Sequence, residues 1–324
     1  MDNLNVLIVG CGNIASIFDQ GRDKKHLPLS HAGAYIKDGR FHIDACVDPD
    51  KKRRMNFMKT WGVNKAFSSI EQVLASDLKF DVISICSPSE RHVNDLEVAI
   101  ELRPKFIFCE KPLTLSLNQS FEISSKCQEK NIILGVNFSR RFDEDVIKIK
   151  NEIQQKKWGE LRTVVGFYNK GLLNNGSHML DLIIMLIGKL DVLKVGKKVI
   201  DYLDNDPSIP IWLEGENGEQ IYLVCNLASD YSLFELQFVF ESGFVCMGNG
   251  GLWWNTRTPV ESQIFSGYRS LDDGVFRGGN YLSSMSNSIN SIYSAVTFGS
   301  KFESTHENAI YVQLLCEKIN ILAN

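Results

Sequence analysis

Residues 6–15 read VLIVGCGNIA, four apolar residues that run directly into a glycine-rich turn. The turn fits the pattern G-x-G-x-x-A. In this pattern Gly10 permits the tight turn, Gly12 lets the backbone approach a pyrophosphate, and the small Ala15 allows a helix to pack close to the strand. Because the pattern follows a strand and precedes a helical pattern, it predicts dinucleotide binding rather than a purely structural turn. The predicted cofactor residues of this turn are Gly10, Gly12, Asn13 and Ile14.

Asp48 follows the second predicted strand, in the sequence ACVDPD at 45–50, where an acid reads the adenosine ribose. A carboxylate at this place accepts hydrogen bonds from a free 2′-hydroxyl and therefore favours NAD. The basic run KKRR at 51–54, which includes Arg53, is either a partner for a 2′-phosphate or a solvated helix start. NADP therefore stays open as an alternative cofactor.

Asp48 lies farther from the glycines than the usual separation of about 20 residues. The excess maps to Ile17–Ser30, a polar segment with glycine and proline that reads as an inserted loop. The loop leaves the chain after the first turn of the cofactor helix, at the edge where open α/β sheets bind ligands. It is predicted to be either a mobile rim over the pyrophosphate or substrate, or a tolerated surface loop. Its candidate rim residues are Arg22, Lys24, Lys25 and His26.

Short Val/Ile/Phe-rich runs alternate with helical patterns through the first 137 residues, as in a parallel sheet buried on both faces. The predicted strands are 4–9, 41–47, 80–86, 105–109 and 131–136. The predicted helices are 31–38, 50–60, 69–76, 89–102 and 116–129. Strands separated by helices imply right-handed crossovers, so residues 1–137 are predicted to form a doubly wound Rossmann domain that binds a dinucleotide.

The pattern changes after Arg141, where strands follow one another with few helices between them. The predicted strands are 161–168, 192–199, 210–214, 220–227, 232–240 and 243–247. The predicted helices are about 143–156, from His178 to about 187, and about 306–322. Residues 266–300 are rich in Ser, Gly and Asn and are predicted to be loop with some helix. Residues 138–324 are thus predicted to form an α+β domain with a large, open, mainly antiparallel sheet for substrate binding and oligomerisation.

Bulk composition argues against nucleic-acid binding, membrane association and metal binding. A chain of 324 residues suits two domains, and its net charge of −4 provides no basic field for nucleic acid or a membrane surface. The eight cysteines form no Cys-x-x-Cys pair, and the six histidines show no ligand spacing, so no metal site is predicted. Without a signal peptide or an apolar run of about 20 residues, the protein is predicted to be cytoplasmic with reduced thiols.

Two further stretches carry polar residues at predicted element ends. Residues 105–112 read KFIFCEKP, an apolar strand that stops at Glu110-Lys111-Pro112, and residues 174–181 read NNGSHMLD before an apolar helix. Proline fixes its own φ and biases the preceding lysine toward extended geometry, which pre-positions the side chain. Taken alone, the first stretch is also typical of a charged strand exit. A cofactor turn, a strand-end lysine and a later histidine together predict a nicotinamide-dependent dehydrogenase.

With these motifs the chain resembles the glucose–fructose oxidoreductase / inositol dehydrogenase / rhizopine catabolism family over nearly its whole length. The resemblance is carried by GCGNIA at 10–15, HAGAY at 31–35, VDPD at 47–50, CSPSERH at 86–92, EKPL at 110–113, Asn137, Arg141-Phe142 and GSHMLD at 176–181. It implies a Rossmann domain followed by an α/β domain whose open sheet often forms the oligomer interface, as a homodimer or homotetramer. It also implies oxidation or reduction of a ring hydroxyl of a sugar, sugar phosphate, nucleotide sugar or cyclitol.

The resemblance also suggests site residues. Lys111 is similar to the catalytic lysine of the family and His178 to its catalytic histidine. Family dehydrogenases usually carry an aspartate four residues before that histidine, where this chain has Asn174. Asn174 can hydrogen-bond but cannot take a proton. The further positions that the resemblance places at the cofactor are Ser87, Pro88 and His92, with Glu110 and Asn137 near the nicotinamide.

Hydride transfer needs a base for the hydroxyl proton, and histidine titrates near neutral pH. His178 is therefore predicted to be the general base and Lys111 its orienting and electrostatic partner, although the two roles can be reversed. Asn174 is predicted to line the substrate site. One alternative is a non-catalytic dinucleotide sensor or co-regulator on the same fold, because fold does not fix function. Another is an aldehyde- or imine-type reductase.

Overall fold

The computed structural model describes residues 3–23 and 25–323. The chain divides into two compact units. The first contains the residues up to Phe142 together with Leu282–Tyr311, and the second contains Asp143–Tyr281 together with the chain from Val312. The predicted boundary at 137/138 lies close to Phe142. The prediction assigned all later residues to the second domain, whereas Leu282–Tyr311 return to the first unit.

The first unit is an α/β layer structure with a parallel sheet, as predicted. Its strands are β1 Leu4–Val9, β2 Phe41–Val47, β3 Lys65–Phe67, β4 Val82–Ile85, β5 Phe106–Cys109 and β6 Ile133–Val136. Its helices up to β6 are α1 His31–Asp38, α2 Lys51–Trp61, α3 Ile70–Leu74, α4 His92–Glu101 and α5 Leu117–Glu129. Over the described residues the sheet order is β3-β2-β1-β4-β5-β6. The order reverses between β1 and β4, which is the switch point where such sheets bind ligands.

The second unit contains the predicted mainly antiparallel sheet. Its elements up to residue 278 are α6 Glu144–Gln154, β7 Leu161–Tyr168, α7 Ser177–Ile187, β8 Leu190–Val195, β9 Val199–Leu203, β10 Asp206–Ser208, β11 Ile211–Gly215, β12 Gln220–Cys225, β13 Phe234–Phe240, β14 Gly243–Gly248, β15 Trp253–Arg257, β16 Pro259–Glu261, β17 Arg269–Leu271 and β18 Val275–Gly278. Eight strands of the described chain form one sheet in the order β18-β15-β14-β13-β7-β12-β11-β8. Its pairs are antiparallel except β12 with β7.

The sequence prediction differs from the structure in three places. The predicted strand 192–199 corresponds mostly to β8. Its last residue, Val199, already belongs to β9, which pairs with β10 in a separate hairpin. The short strands β3 and β10 and the strands β15 to β18 were not predicted. Residues 266–300 contain the fifteen-residue helix α8 Ser284–Phe298 rather than mostly loop. The last helix, α9 His306–Leu322, matches its prediction.

Helix α8 supplies part of the core of the first unit. Ile289 and Ile292 are fully buried there, and Phe302 after the helix is 3% exposed. The Phe302 ring meets the Phe106 ring of β5 edge-on at a centroid distance of 4.9 Å. Apolar residues recur along α8 at helical spacing, but the Ser and Asn residues between them have low helix propensity. The periodic signal is therefore weak although the helix is well packed.

Candidate functional site

The glycine turn after β1 has the geometry that its sequence predicts. Gly10 has φ +90°, and a Cβ there would lie 2.6 Å from backbone atoms of Cys86 and Ser87, so only glycine fits. A Cβ on Gly12 would meet no atom within 4 Å. Within the described part of the chain, the N–H groups of residues 12–14 donate to no protein acceptor. The turn therefore presents open space and free donors, as a pyrophosphate requires.

Asp48 joins this turn to the end of β2. The residue is 4% exposed. Its Oδ2 accepts the Cys11 N–H at 2.8 Å, and its Oδ1 accepts the Asp50 N–H at 2.8 Å. A carboxylate oxygen has two lone pairs, so both oxygens can still accept a ribose hydroxyl. Arg53 is exposed on the first turn of α2. Its N–H and that of Lys52 donate to the Asp50 side chain, which lowers the pKa of that carboxyl.

The insertion interrupts what would otherwise be one continuous helix. The carbonyl of Ile14 accepts the N–H of His31 at 3.0 Å, and that of Ala15 accepts the N–H of Ala32 at 3.0 Å. The two residues of each pair are 17 apart in sequence. Without the thirteen residues 18–30, the spacing would be the four residues of an α-helix. Ala15 and Asp48 would then be 20 residues apart instead of 33, which is the usual separation.

The loop is closed by Asp19. The Asp19 carboxylate accepts the N–H groups of Leu29 and Ser30 at 3.0 and 2.8 Å and the Ser30 hydroxyl at 2.6 Å. Toward the loop tip, Lys37 in the last turn of α1 donates to the His26 carbonyl at 3.2 Å. These bonds attach the insertion to its neighbouring helix.

The position of the loop tip corrects the predicted rim. Arg22 and His26 line a cavity of about 630 Å³ together with Lys37 and Trp61, the last residue of α2. The helices of a doubly wound sheet run back from the carboxyl edge of the strands, so the ends of α1 and α2 lie toward the opposite edge. The tip therefore does not lie over the glycine turn. Lys24 lies outside the described residues.

The Glu110-Lys111-Pro112 corner follows β5 at the carboxyl edge of the sheet. The Lys111–Pro112 peptide bond is cis. Glu110 Oε1 lies 2.9 Å from His31 Nε2 and accepts the Asn137 amide N–H at 2.7 Å. Burial raises the pKa of Glu110. The hydrogen bonds from His31 and the Asn137 amide, together with the positive charge of Lys111, outweigh that effect, so the pKa lies below its ordinary value. Glu110 is thus ionised beside Lys111.

His92 holds the corner against the loop after β4. It is 1% exposed, with Nδ1 2.8 Å from the Pro112 carbonyl oxygen and Nε2 3.0 Å from the Ser87 carbonyl oxygen. Its ring therefore supports backbone, and Pro88 remains exposed next to that loop. Among the described residues, Ser87 Oγ and Asn137 Oδ1 are buried without a hydrogen-bond partner. Buried polar atoms of this kind are uncommon in proteins. These two follow β4 and β6, on either side of β5 at the carboxyl edge of the sheet, where a bound ligand would satisfy them.

In the second unit, a π-helical turn over Gly171–Gly176 leads directly into α7. Asn174 belongs to the turn, and His178 is the second residue of the helix. Both residues are partly exposed. π-Helical turns are uncommon and often mark functional sites. Lys111 and the cofactor candidates belong to the first unit, whereas Asn174 and His178 belong to the second.

Asp206, which the sequence did not single out, fixes this turn. Its carboxylate accepts the N–H of Leu173 at 2.8 Å and that of Asn174 at 2.9 Å. Gly171 has φ +88°, and a Cβ there would lie 2.2 Å from Asp206 Oδ2, so the turn requires glycine. Ser208 Oγ accepts the Gly171 N–H at 3.0 Å. Asp206 and Ser208 lie on the hairpin strand β10, for which the sequence shows no periodic signal.

Neither a membrane-spanning helix nor a cluster of metal ligands is found among the described residues. No helix among them is long and apolar enough to cross a bilayer. Across the same residues, no group of three or more His, Cys, Asp or Glu side chains is placed to hold a metal ion.

Comparison with known proteins agrees with this geometry. Residues 4–138 match the family described as "Oxidoreductase family, NAD-binding Rossmann fold". The chain is 29% identical to a myo-inositol 2-dehydrogenase of Thermotoga maritima over 39% of this chain and 36% of that protein. It is 35% identical to a scyllo-inositol 2-dehydrogenase (NAD(+)) of Bacillus subtilis over 38% of this chain and 35% of that protein. The alignments thus span about a third of these relatives.

A solved structure extends the fold similarity to the whole chain. An oxidoreductase from Agrobacterium radiobacter, in complex with NAD+, L-tartaric acid and magnesium, superposes with a TM-score of 0.78 at 16% identity. The superposition covers 99% of this chain and 96% of that one. At this identity the likeness concerns the fold, including the open sheet of the second unit. Residues 4–138 thus resemble the oxidoreductase family with the NAD-binding Rossmann fold, and the similarity of the rest of the chain is one of fold.

Proposed function

We propose that this protein is an NAD-dependent dehydrogenase. It transfers a hydride between nicotinamide and a ring hydroxyl or ketone of a sugar-type substrate, within the class of sugars, sugar phosphates, nucleotide sugars and cyclitols. The observation that carries the proposal is the pair of orphaned buried atoms, Ser87 Oγ and Asn137 Oδ1, on either side of the Lys111 corner. The names of the two inositol dehydrogenases support a cyclitol as the first substrate to test.

The residues present fit a dinucleotide. The open space at Gly12 suits the pyrophosphate and Asp48 suits the ribose of NAD. Ser87, Asn137 and the Glu110 corner are proposed for the nicotinamide end, with His92 acting through the backbone that it supports. When bound, NAD supplies the hydride acceptor.

The proposed mechanism needs a base, His178, and a cation, Lys111. His178 takes the proton of the substrate hydroxyl as general base. The Lys111 ammonium donates to the substrate oxygen and stabilises the negative charge that develops on it. Asn174 contributes a hydrogen bond to substrate, since its amide cannot exchange a proton. The partial exposure of Lys111 and His178 leaves both accessible to a small molecule.

The open sheet is the proposed interface of a homodimer or homotetramer. Trp212 and Tyr222 pair across β11 and β12 with stacked rings and are each 38% exposed. Val224 on β12 adds to the same exposed face. The eight cysteines are free thiols, and we propose that the protein works in a reducing cytoplasm.

Turnover of candidate substrates tests this function. Purified protein is assayed for NADH formation with myo-inositol, scyllo-inositol, hexoses, hexose phosphates and nucleotide sugars. We expect activity with at least one of them. Lys111→Ala and His178→Ala should each lower kcat by about 10²-fold or more, the usual contribution of a positioned acid or base. NAD affinity should stay within a few-fold.

Lys105→Ala is the matched control for Lys111, because Lys105 is an exposed lysine at the opposite end of β5, paired with Asp81. Its turnover should equal that of the wild type. NAD binding without turnover of any compound would instead favour the sensor or co-regulator. Normal turnover of either alanine variant would remove that residue from the mechanism.

A further inference from the structure

A chain of buried polar side chains runs inward from Glu110. His31 is fully buried, with Nε2 2.9 Å from Glu110 Oε1 and Nδ1 3.3 Å from Ser84 Oγ. Ser84 Oγ lies 2.8 Å from the Tyr35 hydroxyl. Ser84 and Tyr35 are also fully buried. The four residues come from α1, β4 and the end of β5, so the chain is a tertiary feature rather than a local motif.

The contacts allow one consistent set of donors. The Tyr35 hydroxyl donates to Ser84, the Ser84 hydroxyl donates to His31 Nδ1, and the His31 Nε2–H donates to Glu110. Burial raises the pKa of Tyr35, which keeps its proton in place. Each link then directs the positive end of a dipole toward the Glu110 carboxylate, and charge-assisted bonds of this kind are the stronger ones. Because Tyr35 has no access to water, the chain cannot carry a proton to solvent.

We propose that His31 is a positioning residue for the reaction. It keeps Glu110 ionised through its Nε2–H, and the Glu110 carboxylate in turn keeps Lys111 protonated and oriented for the substrate. The inference rests on the proposed role of Lys111. Four titratable groups interact with Glu110: His31, Lys111, Cys86 and Cys109. Burial, and after it the negative charge of Glu110, raises the pKa of both thiols. The thiols therefore stay neutral, and Lys111 is the group that responds to the charge on Glu110.

The test measures the titration of Lys111 directly. Lysines of the intact protein are reductively methylated with ¹³C-formaldehyde, and the Lys111 signal is identified by its absence from Lys111→Arg. In His31→Leu, Glu110 loses the His31 Nε2–H donor, which favours the protonated form of Glu110 in its partly buried site. Lys111 should then lose its proton about one pH unit lower than in the wild type. Glu110→Gln should give a shift of the same sign.

His31→Gln is the conservative rescue, because its Nε2–H can replace that of the imidazole. In His31→Gln, the pH at which Lys111 loses its proton should stay within a few tenths of a unit of the wild-type value. The same should hold in Tyr35→Phe, which changes only the far end of the hydrogen-bonded chain. The proposal is overturned if Lys111 titrates alike in His31→Leu and wild type, or if His31→Gln shifts as far as His31→Leu. Should His31→Leu fail to fold, His31→Phe takes its place in both comparisons, because its ring fills the site but offers no donor to Glu110.

A second readout separates this inference from the proposed function. If the wild type turns over substrate, the alkaline limb of its kcat profile should move with the Lys111 titration in each variant. If no substrate is found, the NMR titration still confirms or refutes the link between His31 and Lys111. Failure of the function and failure of the inference therefore give different results.

Discussion

At the scale of single residues, Asp48 combines two tasks. Its carboxylate already holds the Cys11 and Asp50 N–H groups, and in the proposed complex it also accepts the ribose hydroxyls. A negative charge at this place repels a 2′-phosphate, whereas Arg53 nearby attracts one. The cofactor preference is therefore a balance between two neighbouring side chains at the end of β2 and the start of α2.

We predict that the wild type binds NAD at least tenfold more tightly than NADP, measured by calorimetric titration of both cofactors. Asp48→Asn should reduce that ratio severalfold, because it removes the charge that repels the phosphate. Arg53→Ala should weaken NADP binding and leave NAD binding unchanged, which makes it the matched control. Tighter binding of NADP than NAD by the wild type would contradict the assignment of Asp48.

At the scale of elements, the insertion is a closed side loop of a helix. Its ends are joined by the helical hydrogen bonds from His31 and Ala32. Within the loop, Asp19 accepts a hydrogen bond from the Ser30 N–H. A loop closed in this way can be removed with little effect on the elements that it joins.

We predict that excising residues 18–30, so that Ile17 precedes His31, leaves a folded protein whose NAD affinity changes less than threefold. The tip of the loop lies toward the far ends of α1 and α2. The bond that the excision removes at the glycine turn, from the Phe18 N–H to the Asn13 carbonyl, uses none of the turn's own N–H donors. Far-UV circular dichroism and calorimetric titration measure both effects. A folded excision variant with NAD binding weakened tenfold or more would instead support a role of the loop as a rim over the pyrophosphate or substrate.

Periodicity and turn chemistry predicted β1, β2, β7 and α9 with bounds that match the structure. They also predicted the glycine turn, because the residues that define it, Gly10, Gly12 and Ala15, lie close together in the sequence. The features that the sequence missed depend on distant partners. Asp206 acts on a turn more than thirty residues earlier, and His31 meets Glu110 across 79 positions. These contacts form because separate elements pack against each other, so no local sequence pattern predicts them.

At the scale of the whole molecule, the proposed oligomer depends on the exposed face of the eight-stranded sheet. Trp212 and Tyr222 present stacked aromatic rings there, and clustered exposed aromatic residues are typical of protein interfaces.

We predict a dimer or tetramer by light scattering coupled to size-exclusion chromatography. The double variant Trp212→Lys/Tyr222→Lys should elute as a monomer, because two lysines on each copy bring like charges together. Phe121→Lys is the control, since Phe121 is an exposed aromatic residue on helix α5, outside this sheet. A wild-type monomer, or an intact oligomer of the double variant, would exclude this face as the interface.

The return of Leu282–Tyr311 to the first unit has a consequence for biosynthesis. The ribosome completes β1 to β6 early, but Ile289, Ile292 and Phe302, which fill the core of that unit, are synthesised only after residues 143–281. At about 5–20 residues per second, these intervening residues delay completion of that core by roughly 7–28 s. The first unit of the nascent chain therefore waits, with part of its apolar core uncovered, until residues 143–302 have also been made.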